Sequence, residues 1–222
     1  MNHLSQFDNQ TMAFLVIFLM VLTIREIVTF RGKHFLKYIF TPLVTASVIL
    51  VAFHAYGNNP GNAYTVYIFW GLVLSLIADV LLMIVPMQFM LEGLIFFLVA
   101  HVLYIVGFSR DYVFHESSVL VAVLIIIPMG FLYNVLRKKA GEMAVPVLIY
   151  MAVISTMVFF AITGFVPGNP LKKAFIVGGA IFFLISDIIL ALDAFVKEIP
   201  HATVFVWALY APGQMMLAVS CL

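Results

Sequence analysis

Eight stretches of about 20 mostly apolar residues follow one another along this 222-residue chain, and together they take up most of it. A helix that crosses the ~30 Å hydrocarbon layer of a bilayer needs about 20 such residues. The runs fall at roughly 12–30, 36–56, 63–85, 88–109, 117–136, 144–164, 172–195 and 201–221. They are continuously apolar rather than alternating, which argues for helices and against barrel strands. The fold class expected is an all-α, polytopic membrane helix bundle forming a single transmembrane domain. Composition closes off the other classes. Only 9% of residues are charged and 65% are hydrophobic, whereas a soluble domain carries about 25% charged residues. A net charge of +1 gives no reason to expect a nucleic-acid partner, and a single cysteine excludes an internal disulfide and a thiolate-rich metal site. The first run is followed by Arg31 and Lys33 rather than a small-residue cleavage site, so it reads as a span and not a cleaved signal peptide.

The links are brief, such as Gly57 to Asn62, Arg137 to Lys139 and Pro167 to Pro170. Short links make neighbouring helices antiparallel. Arg31, Lys33, Lys37, Arg137, Lys138, Lys139 and Lys197 then gather at one face, against Arg110, Lys172 and Lys173 at the other. The richer face is expected to be cytoplasmic, with both termini outside.

A repeat is visible. The third run contains Gly71 and Asp79, and the seventh contains Gly179 and Asp187, at identical spacing. Pro42 and Pro146 sit at comparable distances upstream. Two parallel four-helix halves would explain both features.

Ionisable groups in hydrocarbon cost at least ~2.5–3.5 kcal/mol, so each needs a partner or a task. Asp79, Asp187 and His101 are the candidates for catalysis. Helices three and seven point the same way, which sets both aspartates at similar depth, past the middle toward the cytoplasmic face. There they can meet across the centre of the bundle, and a carboxyl pair in a dry cavity suits one general acid and one general base. His101 can shuttle a proton or orient a carboxylate. Ser75, Tyr104, Tyr150, Ser186, Tyr210 and Gln214 are candidates for substrate binding around them, and Lys37 for reaching an anionic headgroup. The competing use of each is plain packing: an interhelical hydrogen bond for the polar groups, an interfacial charge for Lys37. Arg25 and Glu26, near the end of the first run, read as interfacial, with Arg25 snorkelling. The remaining histidines lie at run ends or in links, so no metal site is expected.

The stretches Gly71 to Met83, Gly93 to Phe108, Pro146 to Tyr150, Gly178 to Ala191 and Tyr210 to Gln214 carry a resemblance. In their combination of Ser75 and Asp79, His101 and Tyr104, and Ser186 and Asp187, the chain resembles the YhhN family of multi-pass membrane proteins, which includes the lysoplasmalogenases. The likeness runs from about Phe35 to the end. It implies hydrolysis of the vinyl ether of a lysoplasmalogen, a lysophospholipid substrate, to a fatty aldehyde and glycerophosphoethanolamine or glycerophosphocholine. It implies no cofactor. The host would be the inner membrane of a bacterium or the endoplasmic reticulum of a eukaryote. One departure stands out. The family's second helix opens on Lys-Pro-Leu, and here Thr41, Pro42 and Leu43 stand in its place, with Lys37 one turn earlier. The residues themselves leave other readings open. A proton-coupled carrier would use the same carboxylates, a lipid-binding scaffold would need no chemistry, and a metal-dependent membrane hydrolase would need a chelatable ion.

Overall fold

The computed structural model describes residues 8–32, 34–84, 90–164, 166 and 168–222. Among the described residues there are eight α-helices and no strand. They are α1 (Asn9–Phe30), α2 (His34–Asn58), α3 (Ala63–Ile84), α4 (Met90–Ser109), α5 (Glu116–Leu136), α6 (Ala144–Thr163), α7 (Pro170–Phe195) and α8 (Ala202–Val219). All eight are long and apolar enough to cross a membrane. This is an integral multi-pass membrane protein. Lys33 and Pro167 lie outside the described residues, as do the expected end of the third run at 85 and the start of the fourth at 88.

At two helices a polar cap sets a start ahead of the apolar run. Asp8 accepts from the Thr11 backbone N–H at 2.7 Å and starts α1 at Asn9. Asn169 accepts from the Lys172 backbone N–H at 2.9 Å, with Pro170 in the first turn, and starts α7. Each cap satisfies an amide that the helix itself leaves unpaired.

Packing follows the repeat. In the first half α1 packs on α2, α2 on α3 and α3 on α4; in the second α5 packs on α6, α6 on α7 and α7 on α8. The halves join through α2 with α8 and α4 with α6, and α8 also touches α1 and α3. The repeated glycines explain the tightest pairs. A Cβ on Gly71 would overlap the Tyr104 ring of α4, and one on Gly179 would come within 2.8 Å of the Gly213 carbonyl of α8. Without hydrophobic drive between helices in lipid, such close approach is what holds them. Outward faces are mostly apolar. On α5, Leu120, Leu124, Ile127 and Phe131 are all exposed, as lipid-facing residues must be.

Candidate functional site

Asp79 lies in the C-terminal half of α3, buried among α2, α3 and α8. Its Oδ2 accepts from the Thr45 hydroxyl of α2 at 2.6 Å and the Tyr210 hydroxyl of α8 at 2.9 Å. The chain of donors continues. Gln214 Nε2 donates to the Tyr210 oxygen at 3.1 Å, and the Tyr104 hydroxyl donates to Gln214 Oε1 at 3.0 Å. Tyr210 and Gln214, one turn apart on α8, therefore act together, and they tie α3, α4 and α8 into one network. A buried network of this kind is rigid because each member is committed to another.

Asp187, at the corresponding place on α7, has a different setting. Its Oδ2 accepts from the Tyr150 hydroxyl of α6. Both side chains face a narrow slot of about 80 Å³ between the helices, whose other walls are apolar and include Leu82, Leu94, Met129 and Phe195. Beside Tyr150 stands His101, fully buried, with ring centroids 5.4 Å apart. Its Nδ1 lies 2.6 Å from the Phe97 carbonyl, so that nitrogen carries the proton. Nε2, left as an acceptor, has no partner among the described residues. That nitrogen lies in the packed interior beside the Tyr150 ring.

Asp79 and Asp187 are not hydrogen-bonded to each other among the described residues; each keeps its own phenol. Between them lie packed rings. Phe183 sits 4.5 Å from His101 and 5.1 Å from Tyr210, centroid to centroid, and Phe97 packs edge-on to both Phe183 and Tyr210.

The other expected site residues divide. Tyr104 and Gln214 belong to the Asp79 network. Ser75 donates to its own helix at Gly71 O and lies 3.5 Å from the Tyr104 hydroxyl, at the edge of that network. Ser186 turns back to Phe183 O, so it does not reach the neighbouring carboxyl. Lys37 is half-buried on α2, in electrostatic reach of Glu26 and Arg25.

Two side chains have places that sequence reasoning did not give them. Thr45 makes the shortest bond to Asp79; its signal was a threonine on the same helical stripe as Lys37 and Thr41. Arg25 corrects the interfacial reading. Its side chain is 0% exposed, its guanidinium lies 4.4 Å from the centre of the Trp207 ring, and Nη1 donates to Glu26 Oε1 at 2.6 Å. Helix α8 packs over α1 and supplies that aromatic face, so Arg25 is held inside rather than released to the interface. Among the described residues no three His, Cys, Asp or Glu side chains gather around a common point that could hold a metal ion.

Comparison with known proteins gives consistent results. Lysoplasmalogenase TMEM86A of Bos taurus is 29% identical over 156 residues, 69% of this chain and 64% of that protein, so the match spans just under two thirds of the relative's length. Lysoplasmalogenase TMEM86A of Homo sapiens is 28% identical over 81% of this chain and 74% of its own. A lysoplasmalogenase homolog of Dictyostelium discoideum is 37% identical over 47% of this chain and 36% of its own. No solved structure matches the chain. The YhhN family profile matches residues 36–221, which takes in every helix from α2 to α8 and both aspartates, and the chain belongs to the YhhN family.

Proposed function

We propose that this protein hydrolyses the vinyl ether bond of lysoplasmalogens, releasing a long-chain aldehyde and a glycerophosphodiester. The observation that carries the reading is the slot itself: one carboxyl and one phenol, Asp187 and Tyr150, in otherwise apolar walls. An aliphatic chain with an enol ether at its polar end has that same distribution of groups. Membership of the family, and the names of its relatives, favour the same substrate class.

The chemistry needs one acid and one base. Protonation of the β carbon of the vinyl ether converts its double bond to a C–H bond and leaves an oxocarbenium ion at the carbon bearing oxygen. Water adds to that carbon and loses a proton, giving a hemiacetal. Collapse breaks the carbon–oxygen bond to glycerol, forms the aldehyde and returns a proton to the glycerol oxygen. The cation resembles that of glycoside cleavage, which is likewise served by two carboxyl groups. In our reading Asp187, which faces the slot, delivers the first proton. Tyr150 holds its carboxyl in place, with His101 packed against that phenol to orient it, and the Asp187 carboxylate left after the transfer takes back the proton that the adding water gives up, which resets the acid. Asp79, with two hydroxyls already donating to it, is the fixed negative charge that stabilises the cation through space. Ser75, Tyr104, Tyr210 and Gln214 hold Asp79. The aspartate end of the bundle is taken as the cytoplasmic end, with both termini outside, because it carries the larger share of Lys and Arg.

The test is aldehyde release from lysoplasmenylethanolamine by the purified protein in detergent. We expect turnover that is indifferent to chelator, lowered at least about 100-fold in Asp187→Asn and about tenfold or more in Asp79→Asn. Folded wild-type protein that yields no aldehyde with ethanolamine or choline headgroups, yet moves solute into sealed vesicles, would overturn the reading in favour of a carrier.

A further inference from the structure

At the end of the bundle opposite the aspartates, helices α3, α4, α6 and α7 leave a cavity of about 440 Å³. Its charged lining consists of three cations, Arg110, Lys172 and Lys173, and one carboxylate, Asp111. Apolar walls, Phe108, Phe160 and Ile176 among them, close the side toward the membrane interior. The two lysines occupy the first turn of α7, where the helix dipole already presents positive charge and cations are disfavoured. Lys173 is compensated locally: it donates to the Ala161 carbonyl at 2.7 Å and to the Gly164 carbonyl, at the C-terminal end of α6. Lys172 is not. Its ammonium lies over the Tyr64 ring, 4.1 Å from the centroid, with the Tyr64 hydroxyl held by Ser220. A cation stacked on a ring still has its N–H donors to give.

We propose that this cavity binds a phosphate-bearing group, gripped by Arg110 and Lys172. The chemistry fits a phosphate ester of a small polyol. A guanidinium fork beside an ammonium favours phosphate oxygens, and the aromatic walls suit the carbons attached to it. The site is separate from the aspartates and does not rest on the proposed reaction. Lys172 and Asp187 stand fifteen residues apart on α7, which is about 22 Å along the axis. In a lysoplasmalogen only a few bonds separate the phosphate from the vinyl ether, so one molecule cannot place its phosphate here and its ether at Asp187. The ligand is either the headgroup of a lipid in that leaflet or a free glycerol phosphate.

The test uses the full-length protein in phosphatidylcholine nanodiscs with spin-labelled phosphatidylglycerol, reading the immobilised fraction by electron spin resonance. We expect the wild type to hold the anionic lipid selectively, and Arg110→Gln combined with Lys172→Gln to weaken it about tenfold or more, as loss of charge-assisted bonds requires. Arg137→Gln combined with Lys138→Gln, which removes the same charge at the other end, should leave it within about twofold. Removing the single carboxylate with Asp111→Asn should tighten binding about two- to fivefold, and this variant tests the site even if the double variant fails to fold. Displacement of the label by sn-glycerol 3-phosphate would assign the site to the free ester; retention of the label would assign it to the lipid. Equal weakening by both double variants, or no preference over phosphatidylcholine together with no binding of glycerol 3-phosphate, would overturn the proposal.

Discussion

Asp79 and Asp187 hold matching places in matching helices, each eight residues after a glycine that seats the next helix. Their surroundings have diverged. Asp79 takes two hydroxyl donors from two different helices and anchors a network that runs on through Gln214 to Tyr104. Asp187 takes one phenol and faces open space. The partners differ in kind as well: Thr45 of α2 and Tyr210 of α8 serve Asp79, and Tyr150 of α6 serves Asp187. Of two carboxyls at matching places, one is held by two hydroxyls inside the bundle and the other faces a slot. The lesson is that symmetry of the backbone does not carry over to the work done by equivalent residues. The donors around each carboxyl decide that.

The sharpest way to break this comparison is to neutralise each aspartate separately. Asp187→Asn should lower turnover by at least about 100-fold with little change in melting temperature, since a positioned proton donor contributes about 10²–10⁴. Asp79→Asn should lower turnover by about tenfold or more and also lower stability by about 1–3 kcal/mol, because an amide oxygen accepts the Thr45 and Tyr210 hydroxyls more weakly than a carboxylate and the new NH2 brings a donor into the buried site. If Asp79→Asn left the melting temperature unchanged and Asp187→Asn lowered it, Asp187 would be the strut and Asp79 the free carboxyl. The phenols extend the test. Tyr150→Phe removes the one donor to Asp187 and should cost about tenfold in turnover, whereas Tyr210→Phe leaves Thr45 in place and should cost about threefold. Equal effects would mean the two carboxyls are served alike.

The glycines give a smaller, purely structural contrast. Gly179→Ala presses a methyl against the Gly213 backbone carbonyl and Leu217, and backbone cannot step aside. Gly71→Ala meets the ring of Tyr104, a side chain that yields only by giving up its place in the Asp79 network. Overpacking costs about 1–3 kcal/mol, with Gly179→Ala at the upper end and Gly71→Ala at the lower. Gly71→Ala should also loosen the Tyr104–Gln214 bond. Thermal melting in detergent ranks the two, and a more damaging Gly71→Ala would show that the α3–α4 contact is the stiffer one.

Much of this was legible in the chain. Continuous apolar runs define the helices, and the glycine–aspartate spacing marks both halves and both carboxyls. What was not legible depends on helix rotation. Nothing in the sequence says that Thr45, rather than Ser75 or Ser186, reaches an aspartate. Both serines satisfy their hydroxyls on carbonyls of their own helix, a local bond always within reach of serine in a helix. Arg25 departs from its sequence reading for a similar reason. A cation near a helix end snorkels when lipid surrounds it, but α8 brings Trp207 over it, and that contact joins residues far apart in sequence. The division between a committed Asp79 and an Asp187 facing a slot likewise comes from which side chains the packing leaves opposite each carboxyl.

The weakest expected effect separates the entrances of the two halves. Helix α1 starts on Asp8, whose carboxylate accepts from the Thr11 backbone N–H, while the corresponding α5 starts on His115, which makes no side-chain cap bond. That N–H is the main reason the Asp8 carboxyl is held down at about 2, from an ordinary 3.8, with the His54 ring 2.9 Å away as a lesser cause. A carboxyl whose folded value lies below its unfolded one contributes stability that is present above the unfolded value. The contribution is lost as pH falls through the folded value. The first turn of α1 should therefore lose hydrogen-exchange protection between about pH 4 and pH 2, while the first turn of α5 holds its protection across the same interval. Asp8→Ala should show the low-pH behaviour at every pH. The effect is confined to one turn, because Asp8 is exposed and the rest of α1 is held by its contacts with α2 and α8. Equal loss at both helix starts would mean that acid acts on the bundle as a whole, and the asymmetry between the halves would then stop at their carboxyls.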